Sequence, residues 1–246
     1  MSSAVSGGGS DDADALAKLM APDQPARVVG AAGKRLASRL SDDGFVWARS
    51  LAKLERRVGV RREQIHLQSS KWNRTGELVA FGVVLNVRDG ALRKWRRANP
   101  DRTRYAGVND DWVCGHPLGV LTATWDQAQV DLTAPDSRGD RLDAFVGLLR
   151  AVALPWFDAS RDPERIVREA PDVTVGLYVV DLAEWLVSKG DQAQAARLVE
   201  RWLAEDPGRR PDFETGRSLG REGKRPGVSM SQWVMAGWSS AVLGLV

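Results

Sequence analysis

The chain has 246 residues, 43% of them hydrophobic and 27% charged, which is the balance of a globular protein with a sizeable core. Its 35 Lys and Arg face 32 Asp and Glu, so a net charge of +3 gives little reason to expect a nucleic-acid partner from charge alone. No stretch approaches about 18 consecutive apolar residues, which excludes a membrane span of the ordinary kind, and the single Cys114 excludes an internal disulfide and fits a reducing cytoplasm.

The opening MSSAVSGGGSDDADA carries neither a basic leader nor an apolar core and does not read as a secretory signal. Residues 1–25, rich in Gly, Ser and Asp, are expected to form a mobile tail. From Ala26 to Leu40 the stripe Val29, Ala32, Leu36 and Leu40 predicts a helix, closed by the turn signal Asp43-Gly44. Phe45 to Val60 reads as one or two strands, with the charged Glu55-Arg56-Arg57 on a solvated face.

Two further strands joined by a polar turn follow, from Arg61 to Asp89. In the first, Ile65 and Leu67 alternate with His66 and Gln68. In the second, Val79, Phe81, Val83, Leu85 and Val87 form an apolar face, and Ala80, Gly82, Val84 and Asn86 a face of small or weakly polar side chains. Gly82 leaves room on that face for a packed helix or for a ligand. The turn SSKWNRTGE holds Trp72, which either folds over the sheet edge or anchors a partner.

The segment Arg88–Arg104 is dense in Lys and Arg around Trp95. Basic and aromatic residues together bind nucleic-acid backbones and stack bases, yet there is no RNP-type aromatic pattern, zinc spacing or recognition-helix signature, and the segment reads first as a solvated crossover loop. GVNDDWVCGHPLG then approaches a short strand, Val120 to Trp125. A helix capped by Asp140, with the stripe Leu142, Phe145, Val146, Leu149 and Val152, is predicted to end before Pro155. Stripes over 175–190 and 192–205, broken by Gly190-Asp191, predict a helical hairpin like one tetratricopeptide-type unit, without the repeats of an array. Arg209 to Pro226 reads as irregular, and Ser231 to Leu243 as a last helix presenting Val234 and Trp238.

Four places, Asp43-Gly44-Phe45, Leu67–Asn73, Phe81–Val87 and Leu154–Phe157, resemble the bacterial domain-of-unknown-function 4304 family over roughly residues 26–160. Asp110-Asp111-Trp112 also fits that family, although the residues after it depart from the expected second Trp. The resemblance implies an α+β domain with no established activity, some of whose members are encoded near toxin systems.

Chemistry-bearing constellations are sparse. Cys114 and His116 are too few for a closed zinc site, and their spacing on a loop does not establish a nucleophile–base pair. Gly30–Arg35 lacks the G-x-x-x-x-G-K-[ST] frame of a phosphate loop and lies inside a helical stripe. No cofactor or metal is implied. The reading is an α+β fold with a central antiparallel sheet of four or five strands, helices on one face and a helical hairpin after residue 160. The functional expectation is a cytoplasmic binding protein, immunity-like in role, rather than an enzyme, using His66, Gln68, Ser70, Lys71, Trp72, Asn73 and Asn86 against a protein partner. The alternatives are nucleic-acid binding through Arg93, Lys94, Trp95, Arg96 and Arg97, and an unrecognised enzyme.

Overall fold

The computed structural model of the protein describes residues 14, 16–20, 24–104, 110–227 and 230–245. Its chain forms two compact units. One draws on the chain up to Asn86 and on His116–Phe157, the other on Val87–Gly115 and on Asp158 onward. The segment 87–115, expected within the first domain, thus groups with the C-terminal helices. Much of the expected mobile tail lies outside the described residues, but residues 16–20 are helical and Leu19 is fully buried. Its carbonyl accepts a hydrogen bond from Arg138 Nη1 at 2.8 Å, which fixes that short helix.

The fold is α+β, with an antiparallel sheet. Its strands are β1 (Val46–Ala48), β2 (Lys53–Val58), β3 (Arg61–Ser69), β4 (Ala80–Asp89), β5 (Trp112–Pro117) and β6 (Gln129–Asp131). The order is β1-β2-β3-β4-β5, and β6 pairs with β4. Trp47 faces Leu54, Leu54 faces Ile65, and Phe81 faces Val130 across the ladders. In the first unit, helix α1 (Pro25–Arg39) buries Val28, Val29, Ala32 and Leu36. A side chain at Gly33 would collide with the Trp47 ring, so this glycine lets the helix meet the sheet closely. The apolar face of β4 is buried as its alternation requires, and Phe81 packs edge-on to Phe145 of α3 (Arg138–Leu148), with centroids 5.9 Å apart.

Five local expectations are corrected. The Glu55-Arg56-Arg57 run is not simply solvated: Glu55 is buried, and Arg56 reaches inward to donate to the buried Glu63 at 2.7 Å while stacking over Phe45. The strand expected at Val120–Trp125 lies earlier, at Trp112–Pro117. Its residues are buried on both faces, so they show no alternation, whereas Trp125 turns back against Gly119. The helix expected to stop before Pro155 starts at Arg138, passes through a π turn at Leu149–Ala153 and continues as α4 (Leu154–Ala159). Proline lacks the N–H that an unbroken α-helical ladder needs, and the widened turn falls just ahead of it.

The other two corrections lie in the second unit. It contains α2 (Gly90–Ala98), α5 (Pro163–Glu169), α6 (Asp172–Ser188), α7 (Gln192–Glu205), α8 (Arg210–Arg221) and α9 (Gln232–Leu243). The expected hairpin is α6–α7, closed by Gly190 at φ 83° and by Asp191, whose carboxylate caps α7. The supposedly irregular stretch after residue 209 is helix α8. Its glycines are where α9 comes nearest: a Cβ at Gly216 would meet the Val234 carbonyl, and one at Gly220 would meet the Ala241 Cβ. Glycine costs about 0.5–1 kcal/mol in a helix interior relative to alanine. Here the backbone contact it permits offsets that cost. The basic segment, read as a loop, is helix α2, capped by the Asp89 carboxylate, which accepts from the Ala91 N–H at 2.8 Å.

Candidate functional site

The sharpest feature on the sheet is the β3–β4 turn. Several of its backbone groups are satisfied from within. Ser70 N–H donates to Ala80 O at 3.0 Å, and Arg74 and Leu78 exchange two backbone hydrogen bonds around Gly76, whose φ is 79°. Asn73 lies across the base of the turn. Its Nδ2 donates to Ala80 O at 2.8 Å and to Ser69 Oγ at 2.9 Å, and its Oδ1 accepts from Ala80 N–H at 2.7 Å. Ser70 Oγ accepts from the Trp72 N–H. With these groups committed, Trp72 remains 64% exposed, and Lys71 Nζ sits 5.0 Å from its ring centroid. Gln68 is exposed beside them.

The rest of the expected polar face is largely internal. His66 contacts Gln64 Oε1 at 3.2 Å, and the buried Gln64 donates to Glu55 at 2.7 Å. Glu55 also accepts from Lys53 at 2.7 Å and from Arg57 at 3.1 Å. Burial pushes the Glu55 carboxyl up, but Lys53, Gln64 and Arg57 together hold it down at about 2. Asn86 is buried, with its Oδ1 lacking a hydrogen bond among the described residues. Of the seven residues expected to bind, Gln68, Lys71 and Trp72 are open to solvent. Asn73 and Ser70 shape the turn that presents them. The signal for that division was the Ser/Asn composition of the turn, whose side chains satisfy neighbouring backbone groups.

The basic alternative is neutralised. Arg93 donates to Asp110 at 2.7 Å and to Asp111 at 2.8 Å, and Arg97 to Asp110 at 2.8 Å. Arg96 is not at the surface at all, being 1% exposed. Its guanidinium donates to Glu184 at 2.6 Å, to Asp181 at 2.9 Å and to the carbonyls of Asp110 and Trp112. Lys94 is exposed, and Trp95 is half-buried beneath Arg102. The carboxylates that absorb these cations lie 13 to 88 residues away in sequence, which hid the pairing from a linear reading.

One guanidinium thus shares a buried site with two carboxyl groups. Glu184 also accepts from Thr103 Oγ1 and the Arg104 N–H. Asp181 has its single bond from Arg96, and its Oδ2 has no partner among the described residues. Burial, with Glu184 adding to it against the pull of Arg96 and Arg104, pushes Asp181 up to about 7. A carboxyl whose folded pKa is raised leaves the native state holding a proton that the unfolded state has lost, so stability falls as pH rises toward 7. Asp181→Asn, which keeps the acceptor for Arg96, is therefore expected to flatten the wild type's loss of melting temperature between about pH 4 and pH 7. Parallel melting curves for the two proteins across that range would contradict it.

Cys114 and His116 are both buried in β5. His116 Nδ1 lies 3.0 Å from Pro117 O, its ring packs tilted against Trp156 with centroids 5.0 Å apart, and burial pushes its pKa down. No group of three His, Cys, Asp or Glu side chains among the described residues could hold a metal ion. No described helix is long and apolar enough to cross a membrane. No family model matches the chain, and neither a curated protein nor a solved structure matches it.

Proposed function

We propose that this protein is a binding protein that engages a protein partner through the β3–β4 turn, with Trp72 as the anchor and Lys71 beside it. The observation that carries the reading is an indole held in solvent by a turn whose shape is fixed by the hydrogen bonds of Asn73 and Ser70. Such a turn loses little conformational freedom on binding, and buried Trp is among the commonest hot-spot residues. With Lys71 over the ring, the complementary surface is an apolar slot with an acidic group at its rim. An immunity-like role, in which binding neutralises the partner, agrees with the resemblance to the domain-of-unknown-function 4304 family. That kinship, a bacterial origin and a cytoplasmic location are proposed with it. Nucleic-acid binding through α2 is the weaker reading because Arg93, Arg96 and Arg97 already face carboxylates.

Affinity capture with the wild type, Trp72→Ala and Lys71→Ala as baits tests the proposal. Loss of a Trp hot spot worth about 2 kcal/mol corresponds to a roughly 30-fold weaker complex, so at least one captured protein should vanish from the Trp72→Ala sample and diminish with Lys71→Ala. Should every captured protein remain equally abundant on all three baits, this turn is not the interface.

A further inference from the structure

A second feature of the first unit is independent of the turn. Beside α1 lies a cavity of about 450 Å³ into which Lys18, Arg27, Lys34 and Arg49 converge. These come from three places in the chain: the short helix at 16–20, α1, and the 3-10 turn after β1. Four of the seven lining residues are cationic and none is acidic, in a chain whose basic and acidic residues nearly balance. Elsewhere in the fold arginines are matched with carboxylates, as around Asp110, Asp143 and Glu63. Lys34 and Arg49 are exposed, and their side chains have no ion pair or hydrogen bond to the described residues. Lys18 is paired with Asp14 at the margin.

The floor of the cavity is as informative as its charge. It is formed by Ala26, Gly30 and Ala31, which lie on one side of α1. Gly33, three residues on, is required by the Trp47 ring against it, but a Cβ at Gly30 would meet no described atom within 4 Å. Packing against the described residues therefore does not explain a glycine in the middle of this helix, where it lowers helix stability. What Gly30 provides is space directly over the backbone, ringed by cations. The sequence GAAGKR, which fails as a phosphate loop, serves here as a helical floor.

We propose that this cavity binds a small phosphorylated molecule of nucleotide size, with its phosphates between Lys34 and Arg49 and its organic body over Gly30. The volume lies in the range of small-ligand sites, about 300–1,000 Å³, and exceeds what a lone phosphate needs. Lys34 and Arg49, whose side chains have no acidic partner among the described residues, favour a multiply charged anion over a monoanion.

Calorimetric titration of the full chain with ADP, pyrophosphate and adenosine at low salt tests it. ADP and pyrophosphate are expected to bind, ADP more tightly, and adenosine not to bind. Lys34→Ala and Arg49→Ala should each weaken ADP by about tenfold or more. Gly30→Leu should abolish ADP binding by filling the floor while leaving the melting temperature unchanged or higher, because it improves helix propensity. Trp72→Ala should leave ADP binding untouched, which separates this site from the protein-binding turn. The absence of ADP binding would overturn the proposal, as would ADP binding that survives Gly30→Leu, the mark of a diffuse basic surface.

Discussion

Arg96→Ala is expected to be the most damaging single substitution in the second unit. It removes the donor that satisfies Asp181, Glu184 and the carbonyls of Asp110 and Trp112 at once. Breaking a buried ion pair by deleting one partner costs about 3–5 kcal/mol, because the remaining charge stays desolvated. Two carboxyl groups are left facing each other here, and a typical domain has about 5–15 kcal/mol of stability in all. Thermal unfolding should show a large fall in melting temperature or loss of folded protein. Arg96→Lys should recover only part of it, since a point ammonium cannot span acceptors arranged for a planar fork. Lys94→Ala, at an exposed position on the same helix, should stay within about 0.5 kcal/mol of the wild type. If Arg96→Ala melts like Lys94→Ala, the buried cluster does not hold the unit together.

The second large effect is in the first unit. Phe81 is 1% exposed at mid-strand, flanked by the buried Val79 and Val83, and meets Phe145 edge-to-face at 5.9 Å. Truncation to alanine removes buried apolar surface and leaves a cavity the sheet cannot close, typically about 3–5 kcal/mol. Phe81→Ala should therefore lower the melting temperature sharply or prevent folding, whereas Phe81→Leu, closer in volume, should lose much less. Equal behaviour of the two would place the ring outside the load of the core.

What could be read from the chain depended on whether a pattern was local. The β4 face was legible because its five apolar residues alternate with small or polar ones, and a strand with one apolar face has no other way to bury it. The α6–α7 hairpin was legible because Gly190 and Asp191 are standard stop and start signals. Helix α2 was missed although its cap, Asp89, stands in the sequence, because the basic composition after it suggested solvent. The partners that neutralise that composition, Asp110, Asp111, Asp181 and Glu184, are brought in only by the fold. Helix α8 was missed because Gly216 and Gly220 lower helix propensity; their four-residue spacing, which marks a close helix crossing, was the unused signal. In the candidate site, Trp72 was visible as an oddity in a turn. That Asn73 and Ser70 build the turn rather than bind was not, because a polar side chain reads alike whether it faces solvent or its own backbone.

The claim on which the function rests is that Trp72 is displayed rather than packed, and the melting temperature of Trp72→Ala tests it most directly. The indole is 64% exposed, and the turn is held by Asn73, Ser69 and Ser70 without it. An exposed residue away from caps and networks typically changes stability by less than about 0.5 kcal/mol, so the melting temperature should stay within about 2 °C of the wild type. A fall as large as that of Phe81→Ala would make Trp72 a structural residue and contradict the account.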